Sequence, residues 1–263
     1  MRFTKMHGLG NDYLYVFGKV PSDIESLCQK LSDRHLGAGS DGMIYITPSS
    51  VADFGMRIFN ADGSEGKMCG NGIRCVGKYV YEKGYTDKTQ LTVETLSGIK
   101  TLTLIPEGKR IVSVTVDMGT ADVRQKKTLK TEFGVFRCTP VSVGNPHAVI
   151  FTEDAESVPL SEVGSRIECH QAFSDRVNVE FVQLLGPQSL RMRVWERGSG
   201  ITMACGTGAC ASAAAAVATG LCRPNDPISV RLDGGTLRIC VSDDFGIRMT
   251  GPAQFVYEGE TIE

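Results

Sequence analysis

Three features are scarce in this chain, and each absence removes a class of function. The first is charge imbalance: 28 Lys and Arg against 30 Asp and Glu leave a net charge of -2 over 263 residues. Nucleic acid or an anionic membrane needs a basic patch to meet its phosphates, so neither is an expected partner. The second is a long apolar run. Although 41% of the residues are hydrophobic, no stretch approaches the ~20 that a membrane helix needs. The third is metal-ligand spacing. The close cysteine pairs are Cys69/Cys75 and Cys205/Cys210, and neither has the two-to-four-residue gap usual for zinc. No metal site is expected.

Nucleotide loops are missing as well. Gly37-Ala38-Gly39-Ser40-Asp41-Gly42 fits G-x-G-x-x-G, but it follows a helix pattern and enters a strand, the reverse of a dinucleotide fingerprint. Residues 72–78 nearly fit a phosphate loop, yet Tyr79 stands where Ser or Thr should ligate magnesium. The nine cysteines, an odd number in a chain this long, do not resemble the disulfide framework of a small secreted domain. The opening residues Met1-Arg2-Phe3-Thr4-Lys5-Met6-His7-Gly8 already read as strand, with no secretory or transit segment ahead of them. A cytoplasmic protein with buried or reactive thiols is expected.

What is present is organised around two short stretches, Met68-Cys69-Gly70-Asn71-Gly72 and Ala204-Cys205-Gly206-Thr207-Gly208. Each sets a cysteine against a glycine-rich turn that runs into a helical pattern. A thiol at a helix N-terminus meets backbone N–H groups that favour thiolate. The surrounding elements also occur twice. In the first half, strands are expected near residues 2–6 and 13–17, then a helix carrying Ile24, Leu27, Cys28 and Leu31 on one face. Strands near 43–47 and 53–59 follow, then a loop to Cys69, a helix to about residue 84, and strands near 91–95, 99–105 and 111–117. The second half repeats the order: a strand at 148–151, a helix at 160–172, strands at 178–185 and 190–195, a loop to Cys205, a helix to 221, and strands near 228–232, 237–241 and 247–250.

Equivalent features keep nearly one offset. Asn11 and Asn145 are 134 residues apart, Cys69 and Cys205 are 136 apart, and Gly98 and Gly235 are 137 apart. The expected fold is therefore α+β: two pseudo-symmetric mixed α/β lobes, each a curled, mostly antiparallel sheet around a central helix. Residues 1–118 form one lobe, with a C-terminal strand in 252–263 crossing back to it, and residues 119–251 form the other, the junction lying near 119–127. The helix after Cys205, Ala209-Cys210-Ala211-Ser212-Ala213-Ala214-Ala215-Ala216-Val217-Ala218, has no charged face and must be buried all round. Its first-half counterpart carries Arg74, Lys78, Glu82 and Lys83, so its later turns are expected to be more exposed. Cys28, Cys75, Cys138, Cys169, Cys210, Cys222 and Cys240 read as buried small hydrophobes.

Two lobes related in this way would bring the two cysteines to face one bound molecule in the cleft between them. A carboxylate held by the backbone N–H groups at both helix N-termini would leave its α-carbon between the sulfurs. One thiolate would remove the α-proton while the other thiol delivers a proton to the opposite face, inverting the stereocentre.

At this point the residues resemble a family. His7-Gly8-Leu9-Gly10-Asn11-Asp12, Phe59-Asn60-Ala61-Asp62-Gly63-Ser64-Glu65, Met68-Cys69-Gly70-Asn71-Gly72, Gly144-Asn145-Pro146-His147, Val177-Asn178-Val179-Glu180, Glu196-Arg197-Gly198 and Ala204-Cys205-Gly206-Thr207-Gly208 together resemble the diaminopimelate epimerases. The resemblance implies a cofactor-independent epimerase, without pyridoxal phosphate, that interconverts LL- and meso-2,6-diaminopimelate. Such an enzyme feeds lysine and peptidoglycan precursor biosynthesis and forms a homodimer. It implies Cys69 and Cys205 as the acid–base pair, with His147 and Glu196 beside them. Gly70, Asn71, Gly206 and Thr207 would give backbone donors to the reacting carboxylate. Asn11, Asn60, Asn145, Asn178, Glu196 and Arg197 would hold substrate, with Asn60, Asn178 and Arg197 near its distal end. The chain departs from the pattern at Gly42, where many members carry glutamine. Two rivals remain open: a two-cysteine racemase of the same fold acting on proline, hydroxyproline or histidine, and a thiol redox or metal-binding protein.

Overall fold

The computed structural model describes residues 1–262, and its contacts divide them into two compact units. The first holds Met1–Asp117 together with the C-terminal segment from Gly251, and the second holds Met118–Thr250.

In the first unit the chain runs β1 (Arg2–Gly8), β2 (Asn11–Phe17), α1 (Ile24–Ser32), β3 (Gly42–Thr47), β4 (Phe54–Asn60), β5 (Glu65–Gly66), α2 (Gly70–Glu82), β6 (Gln90–Thr95), β7 (Gly98–Glu107) and β8 (Arg110–Thr120). The pairings β1–β2, β3–β4, β4–β5, β6–β7 and β7–β8 are antiparallel, while β2–β3 and β4–β6 are parallel. The second unit runs β9 (Asp122–Val123), β10 (Lys127–Thr131), β11 (Gly134–Ser142), β12 (Pro146–Phe151), α3 (Leu160–Glu168), β13 (Asn178–Gly186), β14 (Ser189–Glu196), β15 (Gly200–Ile201), α4 (Gly206–Ala218), β16 (Ile228–Leu232), β17 (Gly235–Val241) and β18 (Gly246–Gly251). Its pairings reproduce the first series step for step. β11–β12, β13–β14, β14–β15, β16–β17 and β17–β18 are antiparallel, and β12–β13 and β14–β16 are parallel. The last strand, β19 (Gln254–Glu260), returns to the first unit and pairs antiparallel with β1.

The strands beside α1 and α3 are covered on both faces and alternate between two apolar environments, whereas β7, β8, β16, β17 and β18 turn one face outward. Leu14, Met43 and Tyr45 join Ile24, Cys28 and Leu31 of α1 in one core cluster. Their neighbour Tyr15 points the other way and donates from its hydroxyl to the Gly72 carbonyl of α2 at 3.3 Å. In the second unit Ala148, Ile150, Val179 and Phe181 pack with Leu160, Val163 and Ile167 of α3. The intervening residues, Glu180 among them, are turned toward α4. That helix touches β9, β11, β12, β13, β14, β16 and β17, as its lack of a polar face demands.

Four expectations need correction. Helix α2 is buried along nearly its whole length, Arg74 and Lys78 included. Their charges are satisfied internally: Arg74 donates to the carbonyls of Gly70 and Pro252 and to Asn71 Oδ1, and Lys78 to Glu82 and the Ile111 carbonyl. Helix α3 stops at Glu168 rather than near residue 172, because Cys169–Phe173 turns back on itself through His170 N–Ile167 O and Phe173 N–His170 O bonds. β10 and β11 occupy residues assigned to the junction and the segment after it. Their outer faces are exposed and only Leu129 is buried on β10, so no clear alternation marks them. Finally, Cys169 is exposed and Cys240 half-buried, whereas Cys28, Cys75, Cys138, Cys210 and Cys222 are buried as expected.

Candidate active site

In both units the chain leaves an extended cysteine and enters a helix. Cys69 (φ -135°, ψ 117°) caps α2 and Cys205 (φ -111°, ψ 109°) caps α4. Each sulfur accepts a backbone N–H three residues on, from Gly72 and from Gly208, both at 3.3 Å. A thiol thus takes the place usually held by an Asp or Ser side chain at an N-cap. Gly70-Asn71 and Gly206-Thr207 fall in the first helical turn, where N–H groups have no intrahelical acceptor.

Around Cys69 the first unit gathers Asn11 and a charged cluster. The Cys69 sulfur lies 3.4 Å from Asn11 Oδ1. Asn11 cannot turn its other end to the sulfur without losing a bond, because its Nδ2 donates to Asp41 Oδ2 at 2.7 Å. Asp41 is held in turn by Arg34 at 2.9 Å and by the Asp12 N–H at 3.1 Å. Burial raises the proton affinity of the Asp12 carboxyl, but hydrogen bonds from Arg34 and Lys5 outweigh it and hold that carboxyl below its usual range. Asn60 ends β4, donating from Nδ2 to Ser64 Oγ at 3.1 Å. Asn71 is buried, and its Oδ1 accepts from Arg74.

The glycine-rich loop rejected as a nucleotide motif therefore has a positioning role through Asp41. Gly42 closes it with φ +152°, and a Cβ built there would lie 2.0 Å from the Phe59 carbonyl oxygen. A glutamine at this position has no room, so any contact it makes elsewhere in the family is absent here.

The second unit brings together Asn145, His147, Glu196, Cys205 and Thr207. His147 and Glu180 are both buried, with Nδ1 and Oε1 2.6 Å apart. His147 Nε2 is 3.0 Å from Asn145 Oδ1, and Asn145 Nδ2 donates to Thr207 Oγ1 at 3.3 Å. The Thr207 hydroxyl lies 3.5 Å from the Cys205 sulfur. His147 thus reaches the thiol through two intermediaries. Glu196 reaches it directly, accepting from Cys205 while Thr202 Oγ1 donates to its Oε1.

A helix N-terminus alone favours thiolate at Cys205, and here it is overruled. Burial pushes the Cys205 thiol well above its ordinary range, and the Glu196 and Glu180 carboxylates push it further, against the Thr207 and Gly208 donors. The Glu196 carboxyl is raised as well, chiefly by burial and in part by Glu180, while bonds from Thr202 and Cys205 oppose the shift. Cys205 therefore rests as a thiol whose proton is offered to Glu196.

Asn178 and Arg197 stand at one edge of the same unit. Asn178 donates to the Pro146 carbonyl at 3.1 Å and accepts the Arg197 N–H at 2.8 Å. The Arg197 guanidinium pairs at 2.9 Å with Asp175, whose side chain is 91% exposed. Glu168, which the sequence did not single out, holds this edge by accepting from Trp195 Nε1 at 2.7 Å and from the Gly198 N–H at 3.1 Å.

The sequence matches the family described as diaminopimelate epimerase over residues 3–123 and 139–256. A diaminopimelate epimerase of Bacteroides thetaiotaomicron is 52% identical over 266 residues, covering 99% of this chain and 97% of the relative. One from Methanococcus maripaludis is 48% identical over 279 residues, covering 99% of both chains. Among solved structures, a phenazine biosynthesis protein of the PhzF family from Bacillus anthracis superposes with a TM-score of 0.81 at 16% identity, covering 100% of this chain and 99% of that one. A hydroxyproline epimerase from Agrobacterium vitis gives 0.74 at 19% identity, covering 99% and 90%. At such identities these two structures speak to the fold alone, whereas the family match and the close relatives span nearly every residue. The chain belongs to the diaminopimelate epimerase family.

Proposed function

We propose that this protein interconverts LL- and meso-2,6-diaminopimelate by proton transfer at one α-carbon, with no cofactor, using Cys69 and Cys205 as acid and base on its opposite faces. The observation that carries the reading is a duplicated environment: two cysteines, each capping the equivalent helix of its unit, each with a backbone donor 3.3 Å from sulfur. In a two-base inversion each direction uses one group as base and the other as acid, so two equivalent groups suit both directions. Removal of an α-proton places charge on the substrate carboxylate. The N–H groups of Gly70, Asn71, Gly206 and Thr207 at two helix N-termini are suited to receive it. Asn11, fixed by Asp41, lies at the Cys69 sulfur, and Asn145, fixed by His147, joins Cys205 through Thr207, so each is suited to bind the substrate at its reacting end. In the direction where Cys205 is the base, Glu196 first takes its proton and the thiolate then removes the α-proton; in the other direction the Cys205 thiol gives its proton to the α-carbon.

The distal end of diaminopimelate carries a second ammonium and carboxylate. Asn60 and Asn178 read such groups without net charge, and Arg197 offers a fork to the carboxylate. Its present partner Asp175 is exposed, and a screened surface pair of this kind contributes little, so a substrate carboxylate displaces it readily.

A substrate panel tests this. Purified protein is expected to convert LL- to meso-diaminopimelate and back, and to leave L-proline, hydroxyproline and histidine unchanged over the same period. Epimerisation of proline with no action on diaminopimelate would replace the proposed substrate with a cyclic imino acid. Turnover of diaminopimelate after both cysteines are replaced by serine would remove the thiols from the chemistry.

A further inference from the structure

Glu180 is the residue that the chemistry so far leaves unexplained. It is fully buried, and its Oε2 has no hydrogen-bond partner among the described residues, an expensive arrangement for a carboxyl group. Period-two alternation along β13 turns it away from the α3 core and toward the first turn of α4. There its Oε1 would lie 2.8 Å from a Cβ at Gly208, so only a glycine admits it. Among the described residues its one hydrogen-bond partner is His147 Nδ1 at 2.6 Å.

From that contact the donors and acceptors have a single direction. Asn145 Oδ1 can only accept, so His147 Nε2, 3.0 Å away, must donate to it. A second hydrogen lies in the Nδ1–Oε1 contact, whichever end holds it. Asn145 Nδ2 can only donate, and it does so to Thr207 Oγ1 at 3.3 Å. The single Thr207 hydroxyl hydrogen remains free for the Cys205 sulfur at 3.5 Å, and it must point there whenever that sulfur is a thiolate, which can only accept.

We propose that Glu180 is a positioning residue that anchors a one-way hydrogen-bond chain, His147–Asn145–Thr207, whose last member donates to the Cys205 sulfur and stabilises its thiolate. The chain rests on Cys205 being one of the two acid–base groups. It supplies what the buried sulfur otherwise lacks, a second donor besides the Gly208 N–H when its proton leaves for Glu196. The titratable groups acting on that sulfur are Glu196 from the end of β14 and Glu180 from β13, with His147 from β12 packed against Glu180. Glu180 therefore acts in two opposed ways, repelling the thiolate through its charge and supporting it through the chain. The proposal assigns the greater effect to the chain.

The test is the pH dependence of iodoacetamide alkylation at Cys205, followed by peptide mass spectrometry on the substrate-free full-length protein. Glu180→Leu removes the anchor, and the alkylation midpoint is expected to rise by about one pH unit, slowing reaction near neutrality about tenfold. Glu180→Gln removes the charge but keeps an amide that can hydrogen-bond Nδ1, and it is expected to restore the native midpoint. At the other end, Thr207→Val is expected to behave as Glu180→Leu does, and Thr207→Ser as the native protein. A midpoint that falls in both Glu180 variants would show a charge effect alone and overturn the chain, as would no shift in either. If neither Glu180 variant folds, the Thr207 pair decides: equal midpoints in Val and Ser overturn the proposal. None of these readouts uses diaminopimelate, so a failure of the substrate assignment leaves them intact.

Discussion

Cys69→Ala is expected to lower the rate of diaminopimelate epimerisation by a factor of about 10³ or more, with the protein still folded. Positioned acid–base groups contribute on the order of 10²–10⁴ each, and an alanine at the α2 cap offers neither a base nor an acid on that face. Cys205→Ala is expected to cost a similar factor. Because the two thiols act in one event, the double variant should be scarcely worse than either single one. The remaining thiol keeps one half of the chemistry. A β-halogenated analogue that needs only proton removal from the face of Cys205 should still undergo elimination in the Cys69→Ala protein, in one stereoisomer only. Circular dichroism at the α-carbon follows epimerisation, and halide release follows elimination. Retention of more than a tenth of the native epimerisation rate in either single variant would mean that another group serves that face.

The second large effect falls on the fold. Gly42→Ala is expected to destabilise the protein by at least ~3 kcal/mol, seen as a fall of about 10 °C in melting temperature. A backbone at φ +152° disfavours any side chain, and a Cβ there would meet the Phe59 carbonyl at 2.0 Å. The overlap has to be relieved by parting β3 from β4 at the Gly42–Asn60 pair, which also moves Asp41 and Asn60. Gly18 separates the two contributions. Its φ of +149° is nearly the same, but nothing lies within 4 Å of its Cβ position, so Gly18→Ala should show only the backbone cost, about 1 kcal/mol. Equal effects at the two glycines would show that the close approach at Gly42 carries no energy.

The repeated α/β unit was legible because it is written in turn chemistry and helix starts. Gly10-Asn11 and Gly144-Asn145 stand before equivalent strands, and Cys69 and Cys205 before equivalent helices. The uncharged helix around Ala213 announced its own burial. The polar interior was harder to read. Arg74 and Lys78 look like surface residues, and they are core residues because the distant Pro252 and Ile111 carbonyls add to bonds made within their own helix. The forces that raise the Cys205 thiol were hidden for a related reason: helix-end N–H groups are visible in a glycine-rich motif, but the burial of the sulfur and the Glu196 and Glu180 carboxylates, which come from strands before it in sequence, are not. Asp41 and Glu180 were quoted only as parts of larger motifs. Their roles depend on which way an amide or an imidazole is turned by its neighbour, and residue type alone does not encode that.

The central claim is that two monoprotic groups, one on each face, exchange the α-proton with solvent rather than pass it from substrate to product. Its most direct measurement is the isotopic content of the product formed from LL-diaminopimelate in deuterium oxide at early conversion. Two thiols require the meso product to carry deuterium at the inverted carbon in every molecule, while recovered LL substrate carries essentially none. Product that keeps the substrate's own hydrogen would mean a single base serving both faces, and would contradict the assignment of Cys69 and Cys205 as partners.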